Sequence, residues 1–294
     1  VSESAEYRAA VDKGDTPDDA LKALLDDGAF MAKLRAEKTR VQAGFLAQDP
    51  VTGHVLAWVG SRDFAQDPFD HVQAARRQPG STFKPFVYGA AFANGATPED
   101  TLMDTAVEIP LGGGRVWRPT DGGPPSDQPM TLADGLAFSK NTITAQVMQQ
   151  VGPARVAEVA RTLGVRQSPL EEVPSLALGT SPVTLKEMVT AYSSIVNLGR
   201  YVEPVLITRI EDRHGKVLET FASSAPEPVF DARAAQTLRN TMRGAVDKGT
   251  ATATRTRYGI QADVAGKTGT TQDNTDGWFI LMHARVVAGA WAGF

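Results

Sequence analysis

The sequence predicts a mixed α/β (α+β) fold, with an antiparallel sheet built from both chain ends, helices on its faces and a helical lobe inserted between. Three observations predict it. Strand-like runs gather at the two ends, at 41–48 and 54–60 and again at 262–269, 277–283 and 286–292. The middle of the chain carries apolar residues at helical spacing behind capping residues. No internal repeat divides the chain, so the terminal strands are one another's natural partners.

Residues 1–40 are rich in Ala, Asp, Glu, Lys and Arg, with helices predicted around Ala5–Lys13 and Thr16–Leu25. Their acidic run reads as a solvated helix face or linker rather than a metal site. From Val41 the character changes, and two strands flank the turn Asp49-Pro50-Val51-Thr52-Gly53. A polar connection over 61–80 leads to a helix that opens at Ser81. The preceding Gln78-Pro79-Gly80 is turn-like, while Phe83, Phe86, Val87, Ala90 and Ala91 follow helical spacing until Asn94-Gly95. Pro85 fits the start of a helix, where its missing N–H would have no intrahelical partner.

Residues 104–129 are dense in Gly and Pro and read as largely loop. Gly112-Gly113-Gly114 lacks the buried strand before it and the helix after it that a phosphate cradle needs. Next, Thr131 caps 132–138, and Asn141 or Thr142 opens a helix through Gln150. Pro153–Leu163 is a helix with Pro at its start and Gly164 at its end. Thr184-Leu185-Lys186-Glu187 is a capping-box pattern before an apolar helix that stops at Gly199. Tyr201–Ile210 and Lys216–Phe221 flank Asp212-Arg213-His214-Gly215 as a hairpin, and Asp231 caps a helix through Val246.

At 294 residues, with 42% hydrophobic and 22% charged, the chain has the composition of a globular protein large enough for two lobes. A net charge of −4 with no basic stripe argues against nucleic acid as a partner. The absence of Cys excludes a thiol nucleophile, a disulfide framework and cysteine metal sites. His54, His71, His214 and His283 show no metal-ligand spacing, so no metal and no cofactor are predicted. No run reaches the length of a membrane helix. The chain begins at Val1 without Met and reads as a piece of something longer.

Three short patterns carry chemistry, and each occurs once: Ser81-x-x-Lys84, Ser139-Lys140-Asn141 and Lys267-Thr268-Gly269. At a helix start, Ser81 and Lys84 share one face. There the positive end of the helix dipole favours an alkoxide and disfavours an ammonium, which suits a serine nucleophile whose proton goes to a neutral lysine. Ser139 offers a hydroxyl and Asn141 an amide. Lys267 supplies positive charge, and the hydroxyls of Thr268 and Thr270 can bind a carboxylate. Gly269 leaves room for a substrate to lie along the strand. Taken singly, Ser139 and Asn141 are also ordinary helix caps, and Lys267-Thr268-Gly269 is also an ordinary edge strand. Their order and spacing, with 58 residues from Ser81 to Ser139 and 128 from Ser139 to Lys267, make the set specific.

That trio resembles the signature of penicillin-binding proteins and class A β-lactamases. The flanking sequence is similar to the transpeptidase domain of the bifunctional, class A penicillin-binding proteins. The similar stretches are Asp49-Pro50 with Thr52-Gly53, 74–81, 174–179 and 265–271. The resemblance spans about 41–294 as a penicillin-binding transpeptidase domain and leaves 1–40 as a linker or interdomain segment. It implies a serine β-lactamase-like fold, an acyl-enzyme on Ser81, Lys84 and Ser139 as catalytic groups, and substrate binding by Asn141, Lys267, Thr268, Gly269 and Thr270. It places the oxyanion hole at the backbone N–H groups of Ser81 and Thr270.

The implied partners are a peptidoglycan stem peptide ending in D-Ala-D-Ala and β-lactam antibiotics. The implied parent is membrane-anchored with a glycosyltransferase domain and faces the periplasm outside the bacterial inner membrane. Two departures stand out. The family's Trp-x-Pro-x-Asn loop here reads Trp117-Arg118-Pro119-Thr120-Asp121. The family chain also continues past the last strand into a helix, while this one stops at Phe294. Other readings of the same residues are a D,D-carboxypeptidase, a serine β-lactamase or a non-catalytic β-lactam sensor. The Glu-x-x-Leu-Asn motif by which a class A β-lactamase activates water is absent from the sequence.

Overall fold

A computed structural model describes residues 1–271 and 274–294. The chain falls into two units, residues 1–42 with Phe294 and residues 43–293. The first holds α1 (Ala5–Asp12), α2 (Pro17–Asp26) and α3 (Gly28–Lys38). Ser4, Thr16 and Asp27 cap them by accepting bonds from backbone N–H groups one turn on. Helix α3 was not expected from the sequence: Gly28 stands at its first position, and its apolar residues form no stripe.

The second unit starts with β1 (Gln42–Gln48) and β2 (Val55–Val59), an antiparallel pair. Asp49 Oδ1 accepts from the N–H groups of Val51 and Thr52 and so closes the turn between them. After the polar connection, Gly80–Phe83 forms one 3-10 turn and α4 (Lys84–Ala93) follows. Inside the region expected to be largely loop lie the short strands β4 (Ile109–Gly112) and β5 (Arg115–Trp117), and β3 (Thr101–Met103) and β6 (Pro129–Thr131) stand at its two ends. Strand β3 pairs with β6 and β4 with β5. Gly113 and Gly114, both at positive φ, form the β4–β5 turn, so the glycine run is a hairpin tip.

Helices α5 (Leu132–Ala137), α6 (Asn141–Val151), α7 (Pro153–Leu163) and α8 (Leu185–Val196) follow, with a 3-10 turn at Pro174–Leu178. Thr184 and Glu187 make the predicted capping box in both directions. Then come β7 (Arg200–Tyr201), β8 (Arg209–Glu211), β9 (Val217–Thr220), β10 (Glu227–Pro228), α9 (Ala232–Asp247) and α10 (Ala253–Thr256). The predicted hairpin is β8–β9, but its first arm is shorter than expected, and β7 pairs with β10 instead. Strands β11 (Ala265–Thr270), β12 (Asp276–His283) and β13 (Val286–Gly293) end the unit.

The main sheet has the order β11-β12-β13-β1-β2, built from both ends of the chain as predicted. Along β12, Trp278, Ile280 and Met282 are buried, and Phe279 and Leu281 alternate to the other face. Helices α8 and α9 pack on the buried face. On the opposite face Phe279 and Leu281 pack against Val246, Ala251 and Val264, and Phe45, Val59 and Ala290 line a groove of about 540 Å³. In the lobe, α4 packs against α5, α6, α7 and α9, and every residue from Lys84 to Phe92 is buried. A helix that is apolar all round lies in a core, and burying side chains such as Phe86 or Val87 stabilises by roughly 1.5–3 kcal/mol each.

Candidate active site

The Ser81 turn is braced from three sides. Arg77 Nε donates to Asp276 Oδ1 at 2.6 Å, and Trp291 Nε1 donates to the same oxygen at 2.9 Å. Trp278 Nε1 donates to the Gln78 carbonyl at 2.9 Å, which holds the segment before Ser81 against β12. From α8, Tyr192 donates to the Thr82 carbonyl at 2.7 Å. The turn also lies against β11 where neither backbone carries a side chain. A Cβ on Gly80 would stand 2.6 Å from the Thr270 carbonyl oxygen, and one on Gly269 would stand 2.5 Å from that of Pro79. The space left by Gly269 is thus filled by the protein's own turn. Room for a substrate, the reason read from the sequence, is not what this glycine provides.

Ser81 is partly exposed, and its hydroxyl makes no side-chain hydrogen bond among the described residues. It lies in the 3-10 turn and Lys84 opens α4, so the spacing of three brings both into one turn, as the motif predicted. Lys84 is fully buried, which fixes its amine among protein acceptors. Its Nζ lies 2.6 Å from Asn141 Oδ1 and 3.3 Å from Ser139 Oγ, and it also contacts the Ser139 carbonyl oxygen. Lys267, also fully buried, donates from Nζ to Ser139 Oγ at 2.8 Å and to the Thr268 carbonyl at 3.1 Å. The three motifs read separately from the sequence therefore meet around the Ser139 hydroxyl.

Two buried amines this close do not both keep a proton. Burial pulls Lys267 down to about 7. Burial pulls Lys84 well below the ordinary lysine value. The charges of Lys267 and Lys140 add to this, and Asp121 opposes it. Both shifts favour the neutral amine, and at Lys84 the neighbouring cations push the same way as burial. A neutral amine has two N–H groups and one lone pair, and the Asn141 and Ser139 carbonyl oxygens take both N–H groups. The Ser139 hydroxyl oxygen lies between the two amines, 3.3 Å from Lys84 Nζ and 2.8 Å from Lys267 Nζ.

Four further residues belong to the site that sequence reasoning passed over. Thr250, in the turn after α9, shares a hydrogen bond of 2.6 Å with Thr268. Asp104, Asp121 and Lys140 form a charged cluster behind the start of α6. Asp121 Oδ1 accepts the Asn141 N–H at 2.7 Å, and Asn141 Nδ2 donates to the Thr120 carbonyl at 2.7 Å. The 117–121 loop thus orients the Asn141 amide that meets Lys84. Aspartates in a Gly/Pro-rich stretch give no periodic signal, and only the Asp in place of the family's Asn marked this loop. Thr270 is exposed at the end of β11 with its backbone beside Gly80. Among the described residues no group of three or more His, Cys, Asp or Glu is placed to hold a metal ion. No helix among them is long and apolar enough to cross a membrane.

The family model described as the penicillin binding protein transpeptidase domain matches residues 43–281. Penicillin-binding protein 1A of Rickettsia typhi is 34% identical over 277 residues, covering 86% of this chain and 35% of that protein. Penicillin-binding protein 2D of Bacillus subtilis is 36% identical over 265 residues, covering 86% of this chain and 37% of that protein. The crystal structure of penicillin-binding protein 1A from Haemophilus influenzae superposes with a TM-score of 0.82 at 26% identity, over 86% of this chain and 43% of that one. The chain spans about a third of the length of the curated relatives it matches.

Proposed function

Because the chain belongs to the family of the penicillin-binding protein transpeptidase domain, we propose that it is a serine D,D-transpeptidase that cross-links peptidoglycan stem peptides and is acylated by β-lactams. The observation that carries this reading is the pair of buried lysines on one serine hydroxyl, Lys84 and Lys267, one turn from a partly exposed Ser81.

Ser81 Oγ attacks the carbonyl carbon of the penultimate D-Ala, and its proton passes to the Lys84 amine. At rest Nζ of Lys84 is held by Asn141 Oδ1 and the Ser139 carbonyl, so it turns toward Ser81 as the substrate binds. Backbone N–H groups of Ser81 and Thr270 hold the oxyanion, and the close approach of Gly80 to Thr270 supports that pairing. As the C–N bond breaks, Ser139 hands a proton from Lys84 to the leaving amine of the last D-Ala. Lys267 keeps the Ser139 hydroxyl oriented, and with Thr268 and Thr270 it receives the terminal carboxylate. An amine of a second stem peptide then attacks the acyl-enzyme by the reverse path, which restores the Ser81 proton. The chain carries no resident cofactor in this scheme.

The parent protein carries this domain at residues 41–294 behind a linking segment at 1–40. It is anchored in the inner membrane with a glycosyltransferase domain and works on the periplasmic side. The test is incubation of the chain with a peptide ending in D-Ala-D-Ala together with an amino-acid amine acceptor. Release of one D-Ala with formation of the acceptor amide supports the proposal. Release with water as the only acceptor makes the chain a carboxypeptidase, and binding without release makes it a sensor.

A further inference from the structure

The residue between Ser139 and Asn141 touches none of the groups around the Lys84 amine. Lys140 Nζ lies 3.0 Å from Asp104 Oδ2 and 3.2 Å from Asp121 Oδ2, with only 18% of its side chain exposed and none of Asp104's. Asp104 in turn accepts from Thr142 Oγ1 at 2.6 Å and from Ser126 N and Oγ at 3.0 and 2.9 Å. Burial raises the Asp104 carboxyl, but these donors and Lys140 outweigh it and hold the group well below the usual carboxylate range. Asp121 accepts from Asn141 N and, at 3.2 Å, from Thr142 Oγ1. Three chain segments therefore meet on one ammonium: the end of β3, the 117–121 loop and the start of α6. Ser139, just before it, has a φ of 59°, a left-handed backbone that a side-chain-bearing residue keeps only when its neighbours hold it there.

We infer that Lys140, clamped between Asp104 and Asp121, is a positioning residue that fixes Ser139 and Asn141 around the Lys84 amine and ties the 117–121 loop to the start of α6. The clamp also sets the charge beside the base. The charged groups acting on Lys84 are Lys267 from β11, Lys140 from the junction before α6 and Asp121 from the loop, two cations against one anion. The Tyr88 phenol, one turn along α4, stays neutral because burial pushes its ionisation up. Removing either partner of the Lys140–Asp121 pair unbalances this field in a direction fixed by its sign.

The inference rests on the reading of Ser81 as the acylated nucleophile. Its test is the rate of Ser81 acylation by a labelled penicillin against pH, in the full chain and in Lys140→Met, Lys140→Arg and Asp121→Asn. With Lys140→Met, the unopposed carboxylates favour protonated Lys84, so the acid limb moves up by roughly one pH unit. The plateau rate falls roughly tenfold or more as Ser139 and Asn141 lose their fixed placement. Asp121→Asn, the same shape without the charge, moves the limb down, and Lys140→Arg keeps the parent limb. If Lys140→Met does not fold, the downward shift expected for Asp121→Asn against the unmoved limb of Lys140→Arg still decides. An unmoved limb in Asp121→Asn, or shifts of the same sign in the Met and Asn variants, overturns the clamp while leaving Ser81 in place. A parent that takes no label overturns the reading of the site, and the clamp falls with it.

Discussion

Lys267→Met is expected to stabilise the protein near neutral pH while impairing acylation. The Lys267 amine is buried and its folded-state value lies at about 7, below the ordinary 10.5. Between those values the unfolded chain holds a proton that the folded chain lacks, so this group makes stability rise with pH across that window. Below it, the cost of burying the ammonium is fully present. The slope for one proton is about 1.4 kcal/mol per pH unit, which amounts to about 3 kcal/mol over two units above neutrality. Methionine fills the same channel without a charge, so the variant lacks this rise. Removing the Lys267 charge also lets the Lys84 value climb, which flattens the variant further. The assay is thermal unfolding of parent and variant in buffers from pH 7 to about 9. The melting-temperature advantage of the variant should shrink by about 5–10 °C across that range. Parallel curves would refute the assignment of a depressed value to Lys267. A variant that also acylates at the parent rate would remove Lys267 from the site.

Lys84→Ala should slow acylation by roughly 100-fold or more while non-covalent drug binding changes little, because it removes the base and leaves the carboxylate pocket; stopped-flow separation of the two steps checks this. Gly269→Ala forces a Cβ to within 2.5 Å of the Pro79 carbonyl oxygen. It should cost about 1–3 kcal/mol of stability and displace the Ser81 turn, seen as a lower melting temperature together with slower labelling. Glu187 is buried and its carboxylate accepts from the backbone of Gln167, Ser168 and Thr184 and from the hydroxyls of Ser168 and Thr184. Glu187→Gln turns one acceptor into a donor facing donors and should cost about 2 kcal/mol in denaturant unfolding. Burial raises this carboxyl but the five donors outweigh it, so its value lies below 4.5. The gap between parent and variant should hold above that pH and close as pH falls through the lowered value.

The sequence made the sheet and most helices legible because their signals are local. Alternation marks β12 and β13, Thr131, Thr184 and Asp231 mark helix starts, and Gly164 marks a helix end. The three motifs gave Ser81, Lys84, Ser139, Asn141 and Lys267, and the structure joins the last four by hydrogen bonds, with Ser81 in the turn before Lys84. What escaped depends on partners distant in sequence. Asp104 reaches Thr142 across 38 residues, and nothing in Leu-Met-Asp-Thr says that this aspartate is buried. Strands β4 and β5 were hidden because Pro110 and three glycines mask their alternation. At Ser81 the helical reading was nearly right, but the close approach of β11 tightens the first turn to a 3-10 form. The need for Gly269 was visible as part of a motif, and its physical reason, the Pro79 carbonyl, was not.

Intact-mass measurement of the chain after incubation with a labelled penicillin, followed by peptide mapping once free drug is removed, tests the central claim most directly. One penicilloyl group per chain is expected on the peptide containing Ser81, and none on Ser81→Ala, which should keep its fold. The adduct should persist in buffer, since the sequence carries no Glu motif to activate a hydrolytic water. Label on another residue would contradict the assignment of Ser81. A rapid return to the unmodified mass with continuing drug hydrolysis would identify a β-lactamase instead of a transpeptidase.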